Sequence, residues 1–60
     1  MESVLLRTKK KAFELYMKAA LQGLTQSQRN VAVCYEHGIG TDKDQGKALE
    51  WQNKAKQNSF

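Results

Sequence analysis

Proline is absent from this 60-residue sequence, and cysteine and histidine each occur once, as Cys34 and His37. With a single cysteine no internal disulfide can form, and four-cysteine zinc patterns are excluded. Without proline, and with few β-branched residues, the chain favours uninterrupted helix over strand. No long apolar run is present either. The longest early uncharged stretch, Ser3 to Leu6, is far below the ~18 residues a membrane span needs. It also lacks the basic flank and apolar length of a secretory signal, so the expected location is the cytoplasm. At this length there is room for one small domain, which buries only about 60% of its unfolded surface and is marginal on its own.

What is present is ordinary for a folded protein. Hydrophobic residues make up 40% and charged residues 27%, which excludes disorder throughout. The formal net charge is +4, with the surplus gathered early in Arg7, Lys9, Lys10 and Lys11. Such a cluster suits an acidic partner, nucleic acid or anionic lipid. No aromatic residue is interleaved with the lysines as single-strand binding requires, so a solvated helical turn is the simpler reading.

Three helical stretches are expected. Residues 1–7 show no clear period and read as a frayed lead-in. Thr8 is placed as the N-cap of a first helix over about 9–22, with Ala12, Phe13, Leu15, Tyr16, Met17, Ala19 and Ala20 apolar over roughly 200° of the helical wheel. A face that broad predicts cover on two sides. Gly23 supplies the stop. Thr25 and Gln28 have capping-box spacing ahead of a second helix over about 26–37, in which Ser27, Val31, Cys34 and Tyr35 share one face. Gly38 ends it, Ile39 is the apolar residue of the loop and expected inward, and Asp44 caps a third helix over about 45–57. That helix has Ala48, Leu49, Trp51 and Ala55 on its apolar face. Residues 59–60 are a tail, and the module is expected over 8–58.

The third helix repeats the first. At an offset of 36 (12 to 48), Lys11 falls on Lys47, Ala12 on Ala48, Glu14 on Glu50, Lys18 on Lys54 and Ala19 on Ala55. Phe13 falls on Leu49, Leu15 on Trp51, and Thr8 on Asp44. A period in the thirties with two helices per unit marks an α-solenoid. The small residues Ala12, Ala19, Ala20, Ala32, Ala48 and Ala55 allow close helix approach, leaving Phe13, Tyr16, Tyr35 and Trp51 to fill the grooves.

These residues resemble the Sel1-like repeats, relatives of the tetratricopeptide repeats. The resemblance runs through Lys11-Ala12, Tyr16, Ala19-Ala20, Gly23, Ser27-Gln28, Val31-Ala32, Tyr35, Gly38, Gly40, Asp44, Lys47-Ala48, Trp51 and Ala55, from about Thr8 to Asn58. It implies an all-α, α/α-solenoid fragment of three short antiparallel helices, about one and a half repeats, from a longer repeat or multidomain protein. The departures are Ser27 for alanine, Ala32 for glycine, and Lys56 for the second alanine of the pair, which points to a less covered face on the third helix. Glu2 and Val4 stand at the two loop-glycine positions, so the sequence enters mid-unit.

The chemistry-bearing residues do not assemble into a site on paper. Cys34 and His37 are three apart, but zinc needs three or four protein ligands and a nucleophilic pair needs an orienting group and oxyanion donors. Gly38-Ile39-Gly40 follows a helix rather than a strand, which does not support a phosphate loop. Asp42 and Asp44 lack calcium-loop spacing and its closing glutamate. Glu14, Glu36 and Glu50 lie on separate helices. No catalysis, metal or cofactor is expected. What remains is surface for a protein partner. The first helix of a solenoid unit commonly lines the partner side, which nominates Gln26, Arg29, Asn30, Val33 and Glu36. Self-association through uncovered faces of the first and third helices is also expected. The alternative is a small basic nucleic-acid-binding domain using Arg7 and Lys9 to Lys11.

Overall fold

Three helices in series account for the architecture of the computed structural model, which describes the backbone of residues 4–58 and the side chains of residues 8–57. Helix α1 spans Val4–Leu21, α2 spans Thr25–His37 and α3 spans Gln45–Asn58. No strand occurs among the described residues. The all-α solenoid expectation holds.

The start of α1 differs from expectation. Residues Val4 to Arg7 are helical, so the helix passes through Thr8 rather than being capped by it. Leu5, Leu6 and Arg7 are good helix formers with no breaker among them, and that outweighs the missing period. The rest of the proposed lead-in, Met1 to Ser3, lies outside the described residues.

The end of α1 is set by its hydrogen bonds. The amide of Gly23 donates to the Ala20 carbonyl at 3.0 Å, and that of Leu24 donates to the Ala19 carbonyl at 3.3 Å. This paired closure is the Schellman arrangement, which satisfies the last helical carbonyls.

The capping box expected from Thr25 and Gln28 is replaced by another arrangement. Leu24, extended at φ −73 and ψ 114, takes the N-cap position and has no side-chain cap bond. Its carbonyl accepts from the Gln28 amide at 3.0 Å. The Gln28 side chain is buried, and a buried amide needs partners. Its Nε2 donates to the Ala20 carbonyl at 3.2 Å, stitching α2 to the last turn of α1.

At the other end of α2, Gly38 adopts the left-handed conformation at φ 68 and ψ 45, which glycine enters most cheaply. The Ile39 amide donates to the Cys34 carbonyl at 2.8 Å, and the Asp44 amide to the Tyr35 carbonyl at 2.8 Å. The Gln45 side chain donates to the Glu36 carbonyl at 3.2 Å. The final turn of α2 is thus satisfied by the segment leading into α3, which fixes how α3 departs. Asp44 caps α3 as expected, its Oδ1 accepting from the Lys47 amide at 3.0 Å.

The helices lie in one layer. Both α1 and α3 pack on α2, and neither makes a close backbone contact with the other. The principal extents are 43 × 21 × 12 Å. Ala20, Val31, Tyr35 and Ala48 form the core, with Phe13, Met17 and Trp51 packed around it. Each helix brings alanine or valine to the seam, which keeps the backbones close. A layer this thin leaves broad faces open. Leu15 is 56% and Leu49 58% exposed, and Tyr16 is exposed too. Among the described residues only α2 packs on α1, Tyr16 keeps 37% of its surface exposed, and Leu49 is not part of the buried face of α3.

Candidate interaction surface

Helix α2 is the hub. Its inward side buries Gln28, Val31, Ala32, Cys34 and Tyr35, while Ser27 is half-buried. Helical periodicity then turns positions 26, 29, 30, 33 and 36 the other way. Gln26, Arg29 and Val33 are exposed, and Asn30 and Glu36 are half-buried. Val33, at 43% exposure, is an apolar side chain among polar neighbours. Glu36 Oε2 stands 4.0 Å from His37 Nε2, an exposed pair that holds nothing in place.

Tyr35 joins all three helices. The Phe13 ring from α1 meets it edge-on, centroids 5.4 Å apart at 83°, a favoured aromatic geometry. Lys47 Nζ from α3 lies 5.5 Å from its ring centre, within cation–π range. On α3, Lys54 Nζ sits 5.0 Å from the Trp51 ring centre.

Gly40 holds the loop against α1. It has φ 71, and a Cβ there would meet the Lys9 carbonyl oxygen and come within 2.8 Å of Phe13 Cβ. Only glycine permits this approach. The contact brings Lys10 beside Gly38, Gly40, Thr41 and Asp42, around a cleft of about 220 Å³. A larger open groove of about 580 Å³ runs along the outer side of α1 past Thr8, Lys11, Ala12 and Leu15. The first requires the loop to be folded against α1, whereas the second is lined by α1 residues. The one sequence signal for the first was the second loop glycine, read simply as part of a turn.

The remaining chemistry stays dispersed. Cys34 is buried at 4% exposure, and desolvation pushes its thiol above the ordinary value of 9.0, the opposite of what a nucleophile needs. Among the described residues no cluster of three or more His, Cys, Asp or Glu could hold a metal. Lys9, Lys10 and Lys11 are exposed, and the Arg7 side chain lies outside the described residues. No helix among the described residues is long and apolar enough to cross a membrane.

The sequence model of the Sel1 repeat matches residues 8–24 and 25–59. The chain belongs to the Sel1 repeat family. The first match covers most of α1 and its stop, and the second covers α2, the loop and α3, so the Sel1 unit boundary falls at the Leu24–Thr25 step. Two curated relatives are similar to this Sel1 chain. The proteins named DAP3-binding cell death enhancer 1 in Mus musculus and in Rattus norvegicus are each 47% identical to it over 38 residues, 63% of this chain and 8% of the relative. The chain thus spans under a tenth of the length of those relatives. No solved structure matches it.

Proposed function

We propose that this Sel1 chain is a non-catalytic scaffold that presents the outer face of α2, centred on Val33 and flanked by Gln26, Arg29, Asn30 and Glu36, to a protein partner. Membership in a family of protein-interaction repeats supports an interaction role. The observation that carries the choice of face is Val33, exposed on a helix whose other side is fully occupied by α1 and α3. A lone apolar residue ringed by polar groups fits the centre of a small contact, where burial is favourable and the rim stays wet.

The relatives' name supplies a first partner to try, DAP3. In a binding assay with purified DAP3, the chain is expected to bind, and Val33→Asp is expected to weaken binding at least about tenfold while leaving helicity unchanged. Unaltered binding by a folded Val33→Asp variant rejects the α2 face. Absence of any binding rejects DAP3 as the partner.

A further inference from the structure

We propose that the end of the molecule where the α2–α3 loop folds against α1 is a docking site for an acidic peptide segment of a partner protein. The proposal rests on the chain being an interaction module but uses a different surface from the outer face of α2. Four lysines lie on the three segments that come together there. Gly40 presses on the backbone of Lys9, and Lys10 forms one wall of the small cleft. Lys43 Cβ lies 3.5 Å from where a Cβ on Gly38 would stand. Lys47 reaches over Tyr35. The rest of α1 and all of α2 separate Lys10 from Lys43 in sequence, and the approach of Gly40 to α1 brings the loop that carries Lys43 onto the turn that carries Lys10.

Among the described residues no carboxylate pairs with any of the four. Acids share the region as well, with Glu14 lining the larger groove together with Lys10. Asp44 is engaged in capping, its Oδ1 accepting from the Lys47 amide at 3.0 Å, and Asp42 lines the cleft together with Lys10. The charge balance therefore favours an anionic partner.

Asp42 also decides between anions. A peptide brings carboxylates for the lysines and backbone N–H donors for Asp42 and the loop carbonyls. A phosphodiester strand brings acceptors to the lysines but no N–H donors along its backbone, so its phosphates would face the Asp42 carboxylate. The nearby rings offer no stacking platform either. Tyr35 is buried and Phe13 half-buried, and each is engaged with the other, whereas single-strand binders present open aromatic faces.

The test is fluorescence anisotropy with a short labelled peptide of alternating glutamate and serine, set beside a labelled oligothymidylate of equal charge. The 60-residue chain is expected to bind the peptide more tightly than the oligonucleotide, with affinity falling as salt rises. K10E/K43E is expected to weaken peptide binding about tenfold, and K18E/K56E, at the opposite end of the helices, to change it less than about twofold. Circular dichroism on each variant confirms that the helices remain. No peptide binding by the wild type, an equal loss in both double variants, or tighter binding of oligothymidylate overturns the proposal. Failure here is distinguishable from failure of the scaffold reading, because that is decided by DAP3 and Val33→Asp, neither of which involves these lysines.

Discussion

Helices α1 and α3 are two copies of one repeat helix, and they turn different faces to the same partner. On α1 the residues against α2 are Phe13, Met17 and Ala20; on α3 they are Ala48, Trp51 and Ala55. Shifting either set by the repeat offset lands on residues that are not buried. Ala12 and Ala19, the counterparts of Ala48 and Ala55, are half-buried, and Leu15, the counterpart of Trp51, is exposed. In the other direction, Leu49, Asn53 and Lys56 are exposed where Phe13, Met17 and Ala20 pack. A solenoid helix has one face for its own unit and another for the next, and this chain uses one of each. The free faces differ in character. That of α1 is apolar and lines the larger groove, while that of α3 has Leu49 diluted by Asn53 and Lys56.

The comparison can be broken most strongly at Gly40, which ties the loop before α3 to the backbone of α1. Gly40→Ala forces a left-handed alanine and a collision with the Lys9 carbonyl and Phe13. The expected loss is about 3 kcal/mol or more, seen as a lowered thermal midpoint by circular dichroism, with α1 released from the loop. A smaller effect is expected at the cap that α3 has and α1 lacks at the matching position. Asp44→Ala removes the bond to the Lys47 amide and costs about 1 kcal/mol, measurable in a urea titration.

The smallest effect concerns Cys34, on the helix that both copies cover. Iodoacetamide is expected to label it slowly in the native chain and rapidly in urea, with Gly40→Ala intermediate. Burial raises its thiol pKa, so the folded state holds its proton more tightly than the unfolded one. The resulting stabilisation is complete below the ordinary value of 9.0 and fades as pH rises through the folded value. A Cys34→Ala chain is expected to lose less stability than the parent between neutral pH and pH ~10.

Much of this was legible in the residues. Gly23, Gly38 and Asp44 announced the ends of the helices through local chemistry that needs no tertiary partner, and the alanine pattern announced the repeat. The misread features are those decided at a distance. Thr8 looked like a cap, yet the residues before it are good helix formers and the helix continues through them. Gln28 fitted a capping box, but its side chain serves α1 instead. Leu49 fitted the apolar face of α3, yet it stays exposed because Ala48, Trp51 and Ala55 face the core instead. For the proposed interaction surface, periodicity was enough to nominate the side of α2 carrying Val33. The second contact, proposed at the lysine-bearing end, was not legible, because the segments carrying Lys10 and Lys43 come together only once Gly40 lets the loop close on α1.

The most direct measurement is a matched pair of substitutions at one repeat position. Ala48→Leu places extra volume in a buried seam, where overpacking costs about 1–3 kcal/mol. Ala12→Leu places the same volume on the half-covered face of α1 and is expected to change stability by less than about 0.5 kcal/mol. Urea unfolding of both variants, at equal and low concentration, gives the two numbers. A clear loss for Ala48→Leu alone is the predicted result. An equal loss at Ala12 would contradict the account, because it would mean that both copies present the same face to α2.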